Sequence, residues 1–255
     1  MTRLTGAAAP PAPRAVTAPV SAHRGASVLG ELLITAAAVL ALFVVWQVWW
    51  TDVTGGRAQV AAVVAIETSF PTVPATPADS PASPLRTDAP PTLAEVPAGT
   101  GFAVVHVPRW GTDHALPVLE GVDARAVLDT GAAGHYPGTA PPGAVGNFAL
   151  AAHRQTYGAA FRRVDELRVG DPIVVETAEA WLVYRVTADR VVAPEEVSVI
   201  APVPGAPGEA ATARMITFTT CHPLWSTAQR WVTHGELAGW LPRAAGVPAE
   251  LGEVA

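Results

Sequence analysis

The chain has 255 residues, a formal net charge of −6 and one cysteine. That length allows one ordinary domain with appendages. The acidic balance, with no basic patch, argues against nucleic acid as a partner. A solitary cysteine excludes a disulfide framework, so an exported fold of this sequence has to rest on its core.

Residues 1–27 are rich in alanine and proline without periodicity and read as a disordered cytoplasmic arm. From Leu32 to Trp50 no charge occurs, and only Thr35 and Gln47 interrupt the apolar run. As a helix it is about 28 Å long at 1.5 Å per residue, enough to cross a bilayer, so residues 28–50 are predicted to be a transmembrane helix. Arg3, Arg14 and Arg24 precede it, and Asp52 and Arg57 follow. This bias puts the N-terminus in the cytoplasm and the rest outside, with Trp46, Trp49 and Trp50 at the outer interface. The run is too long, and its end too bulky, for a cleaved signal peptide, which predicts an uncleaved single-pass anchor in the cell membrane.

Residues 51–99 read as an extracytoplasmic Pro/Ala-rich linker, although the run AQVAAVVAIE can prolong the helix. Eight prolines between Thr68 and Ala98 make a semi-rigid spacer suited to holding a domain off the membrane.

A folded domain is predicted over residues 100–243, with 244–255 as a C-terminal tail. Strands are expected at Gly101–Val107, Leu116–Leu119, Asn147–Ala152, Pro172–Glu176 and Trp181–Val192. Short helices are expected near Val122–Asp129, Phe161–Leu167 and Glu195–Ile200, and a Gly/Pro-rich loop at Thr130–Gly143. Many short strands with turn signals favour a closed β architecture over a layered α/β fold.

The cysteine ends one more strand. Ile216, Phe218 and Thr220 alternate with Thr217, Thr219 and Cys221, and His222-Pro223 stops the run, so Cys221 belongs at a strand terminus. Arg230 opens a second run, Arg230–Thr233, and the intervening loop has to fold back for the two side chains to meet. Such a cation beside a thiol favours thiolate and can hold an oxyanion. Six histidines of the predicted domain, His106, His114, His135, His153, His222 and His234, are candidates for a proton carrier, and position alone does not choose among them.

Thr217-Phe218-Thr219-Thr220-Cys221 with downstream Arg230 resembles the sortase signature TLxTC and its arginine. Residues 145–158, VGNFALAAHRQTYG, are similar to the GNFAIAGHRTTYG segment of class E sortases of actinobacteria. With the anchor segment, the likeness runs from about Gly30 to Leu241.

The resemblance implies a mostly β fold, an eight-stranded sortase-type β-barrel with short helices behind one transmembrane helix and a Pro-rich linker. It implies a cysteine transpeptidase with catalytic Cys221 as nucleophile, His153 as general acid then base, and Arg230 as substrate and oxyanion clamp. Tyr157, Thr219 and Thr220 become candidates for substrate binding. The implied partners are secreted proteins with C-terminal sorting signals of LAxTG or LPxTG kind, cut between Thr and Gly, and lipid II or another peptidoglycan amine. No cofactor is implied, and one cysteine with scattered histidines shows no metal-ligand spacing. A thiol endopeptidase releasing proteins by hydrolysis and a non-catalytic wall-docked assembly module are the alternative readings. An L,D-transpeptidase, which would carry a glycine-rich segment before its cysteine, does not fit Thr219-Thr220.

Overall fold

The computed structural model describes residues 20–73, 83–111 and 114–252. The expected arm before residue 20, the prolines at 74, 77 and 81, and the last three residues of the tail lie outside the described residues.

The first element, α1, is a helix of 50 residues, Val20–Ser69. Leu29, Leu33, Leu40, Leu42 and Val45 are all exposed on it. A helix that is apolar around its circumference and bare of protein contacts suits lipid, and the stretch from Ser27 is long and apolar enough to cross a membrane.

The helix does not stop near Trp50, where a linker was expected to begin. Alanines and apolar residues with no proline before Pro71 carry it on to Ser69. From Val48 onward the chain belongs to the same compact unit as the strands. Val63, Ile66 and Phe70, spaced for one helix face, bury against Val104, Ala115 and Leu119.

Eight strands follow: β1 (Gly101–His106), β2 (Ala115–Glu120), β3 (Ala133–His135), β4 (Gly146–Ala151), β5 (Pro172–Glu176), β6 (Ala180–Val192), β7 (Arg214–His222) and β8 (Gln229–Pro242). They close into a barrel in the order β1-β2-β3-β4-β7-β8-β6-β5. Two neighbouring pairs are parallel, β2 with β3 and β4 with β7. Closure leaves no unpaired sheet edge, so every strand can turn one face to a common interior. Phe148, Leu150, Phe161, Leu182, Tyr184, Ile216 and Phe218 fill it, each at most 1% exposed. Phe161 stacks on Phe218 with ring centres 4.5 Å apart.

β3 was hidden in the expected Gly/Pro-rich loop, because three residues, Ala-Gly-His, carry no periodicity. β8 runs nine residues beyond the run Arg230–Thr233 read in the sequence, through Gly235 and Gly239. At Gly235 a side chain would meet the Arg185 carbonyl at 2.9 Å, so the close approach of β6 asks for glycine there. The expected short helices appear as 3₁₀ turns at Leu128–Thr130, Val164–Glu166 and Val197–Ile200.

The proline-rich segment also differs from a free spacer. Arg243 donates to the Pro71 carbonyl at 3.2 Å and lies over the Phe70 ring. On the far side Ser83 donates to the Ala245 carbonyl, Arg86 pairs with Trp240, and Leu93 and Val96 pack on the core. Residues 83–99 are thus laid on the barrel.

A buried polar relay crosses three strands. His234 Nδ1 donates to Thr217 Oγ1 at 2.9 Å, Thr217 donates to Asn147 Oδ1 at 2.7 Å, and the Asn147 amide donates to the Val199 and Ala201 carbonyls. The far nitrogen of His234, Nε2, is buried without a hydrogen-bond partner. Burial, with Arg190 adding to it, pushes the His234 imidazole down to about 4. An unfolded chain takes up this proton near 6.5, whereas the fold resists it, so stability is present above pH 6.5 and is lost as pH falls towards 4. Thermal unfolding of the full chain should show a loss on the order of 2 kcal/mol between pH 7 and pH 5 from this group. His234→Asn, which keeps a donor for Thr217 and cannot titrate, should flatten that part of the profile.

Candidate active site

β7 places the cysteine between two partners. It pairs antiparallel with β8 in a register that sets Cys221 opposite Arg230, and parallel with β4 in a register that sets Thr219 beside Ala151. β4 ends at Ala151, two residues before His153, and the chain there stays tied to β7, with the Ala152 N–H donating to the Thr219 carbonyl at 3.3 Å. Residues 217, 219 and 221 share one face of β7. Ile216 and Phe218 point into the core, so the cysteine faces outward from the barrel, where it is partly exposed. The hairpin thus folds back and sets the side chains of Cys221 and Arg230 on the same face of the pair.

Arg230 is held from its own loop. Its Nη1 donates to the carbonyls of Thr227 and Gln229, both at 2.9 Å, which leaves Nε and Nη2 for an incoming carbonyl or oxyanion. His153 has a partner the sequence did not announce. Its Nε2 lies 2.8 Å from Asp129 Oδ1, and both side chains are about one-quarter exposed. With Nε2–H donated to the carboxylate, Nδ1 is the nitrogen left to exchange protons, and Asp129 supplies a counter-charge when the ring is protonated. Asp129 ends a tight turn in which Leu128 and Asp129 donate to the Asp123 and Ala124 carbonyls. Nothing in AVLDTG signals the role, because the pairing spans 24 residues and exists only after folding.

The three candidate binding residues divide. Thr219 shares a hydrogen bond of 2.9 Å with the Tyr136 hydroxyl, and both line a groove with Val192, Pro194, Val197 and Arg230. Tyr157 stacks its ring on the His153 imidazole, centres 5.3 Å apart, and so touches the histidine itself. Thr220 turns to the opposite face, is buried, and donates to the Ala152 carbonyl at 2.7 Å. Its hydroxyl fastens the chain leading to His153 instead of facing the groove.

Other histidines are engaged elsewhere. His135 is buried between Phe102 and Phe148 and bonds Glu120 at 2.6 Å; its neighbour Tyr136 is the groove residue. His222 accepts from Arg154 Nη1 at 2.7 Å and packs on Trp231. Arg154 is itself buried and paired with Asp165, so it braces the segment behind His153. Glu67, His106 and Glu176 bring possible ligand atoms within 4.8 Å of one another. There Arg243 already engages Glu176, at 2.9 Å, and His106 meets its other oxygen, an ion-pair network that joins β1, β5 and the turn after β8.

The sequence and the fold both have counterparts among known proteins. The sequence matches the sortase domain family over residues 105–238. It is 36% identical over 229 residues to Sortase SrtE1 of Streptomyces coelicolor, covering 88% of this chain and 60% of that protein's length. The SrtA sortase from Actinomyces oris superposes with a TM-score of 0.63 and 45% identity, over 66% of this chain and 96% of that one. The structure of Sortase E1 from Streptomyces coelicolor with a tripeptide in its active site superposes with a TM-score of 0.56 and 41% identity, over 60% and 97%.

Thr220→Val removes the hydroxyl and leaves the Ala152 carbonyl without that donor. We expect a loss of about 1 kcal/mol, seen as a lower urea midpoint at unchanged slope.

Proposed function

The chain belongs to the sortase family, class E, and we propose that it is a membrane-anchored cysteine transpeptidase that joins secreted proteins to the cell wall. The observation that carries this reading is the double register of β7, with Arg230 across from Cys221 on one side and the chain to His153 alongside on the other.

The chemistry follows from the groups assembled. A sorting signal of LAxTG or LPxTG kind lies extended in the groove beside Tyr136 and Thr219, its Thr–Gly amide over Cys221. The Cys221 thiolate adds to the threonine carbonyl, and the charge passing to oxygen is met by Arg230. His153 delivers its Nδ1 proton to the departing glycine nitrogen, the C–N bond breaks and a thioester remains. An amine, of lipid II or another peptidoglycan precursor, then loses a proton to His153 and displaces the sulfur, restoring the thiolate. Asp129 keeps the ring oriented through both transfers. The apolar run of α1 holds the enzyme at the cell membrane, with the N-terminus in the cytoplasm and the barrel outside, as Arg3, Arg14 and Arg24 imply.

The test uses the full chain in nanodiscs with an LAxTG peptide and hydroxylamine. Wild-type protein should yield the threonyl hydroxamate, and mass spectrometry should trap an acyl group on Cys221. Cys221→Ala should abolish product, and His153→Ala or Arg230→Ala should lower turnover by roughly 10²-fold or more. Formation of only the free acid in the presence of amine would establish hydrolysis instead. Asp129→Asn should lower kcat roughly 10- to 100-fold with KM little changed; an unchanged kcat would remove Asp129 from the site.

A further inference from the structure

The part of α1 that packs on the barrel meets it at an unusual place. At Gly55 a Cβ would lie 2.2 Å from the Tyr157 carbonyl carbon and 2.4 Å from the Gly158 nitrogen. One turn on, Gln59 Nε2 donates to the Gly131 carbonyl at 2.8 Å. A Cβ at Gly131 would in turn come within 2.8 Å of the Gly55 carbonyl oxygen. Residues 55 and 59 share a helix face. That face therefore touches both segments that contact His153: the loop whose Tyr157 ring covers the imidazole, and the turn whose Asp129 bonds its Nε2.

The loop needs such support. Thr156, Tyr157, Gly158 and Ala159 have φ of 62°, 51°, 78° and 44°, four left-handed residues in succession. Three of them carry a Cβ, and each such residue costs of order 1 kcal/mol or more unless its surroundings impose the conformation. Backbone contact with Gly55 imposes it from outside. Arg162, just beyond the loop, pairs with Asp52 one turn earlier on the helix. The apolar cluster of Val63, Ile66 and Phe70 fixes the other end of the segment.

We infer that Gly55 and Gln59 are positioning residues for the reaction: the extension of the anchoring helix holds Tyr157 against the face of the His153 ring and Asp129 at its Nε2 edge. The functional consequence rests on the proposed role of His153, but the positioning itself can be read without turnover.

Gln59→Leu and Gly55→Val are made in the full chain in nanodiscs, with Val60→Ala, on an exposed helix position, as control. Imidazole ¹⁵N resonances of His153 are recorded, and kcat and KM for the LAxTG peptide are measured. Gln59→Leu should shift the Nε2 resonance and lower kcat about tenfold with KM within twofold, and Gly55→Val should do more. The control should match wild type. Gln59→Leu deletes one hydrogen bond at a partly exposed site, so it decides the matter if Gly55→Val does not fold. An unshifted His153 resonance in Gln59→Leu would overturn the inference. A shifted resonance with unchanged kcat would also overturn the inference, since the helix face would then touch the ring's surroundings without serving the reaction, and the role of His153 would still be decided by His153→Ala.

Discussion

β7 has a parallel neighbour on one side and an antiparallel one on the other, and both ladders must stay in register for the rim to hold its chemistry. Side chains alternate with a period of two, so a one-residue slip against β8 would turn Cys221 away from Arg230. The same slip against β4 would separate it from the approach to His153. What prevents slippage is the interior: Phe218, Ile216 and Phe148 occupy one face of these strands and cannot exchange places with the polar residues on the other. Core packing and site geometry are in this sense one constraint.

Polar groups refine what the core sets. Asn147 reaches out to the segment containing Val199 and Ala201, so the wall of the groove is tied to the strand that leads to His153. Arg154 bridges Asp165 and His222, joining the loop after His153 to the residue after Cys221. Asn147 and Arg154 are both buried and would be costly to strip of their partners. The arrangement is therefore stiff close to the reacting atoms, while the exposed loop with Leu224 and Trp225 lies outside it.

Much of this was legible in the sequence. The closed β architecture, the strand ending in Cys221 and its return at Arg230 follow from period-two patterning and a proline stop, and the motifs around His153 and Cys221 selected the histidine. Other features left no local trace. β3 is too short to show a period, Asp129 is one acid among 22 Asp and Glu until folding brings it to the imidazole, and Thr220 shows its direction only once the β4–β7 ladder is known. The continuation of α1 was hardest to read, because its length depends on contacts with the barrel and not on helix propensity alone.

The bonds from Arg243 to Pro71 and from Ser83 to Ala245 place Pro71 and Ser83 on a single 3₁₀ turn, Arg243–Ala245. The spacing of these two anchor points is therefore dictated by the closing turn of the barrel, whatever residues join them in the sequence.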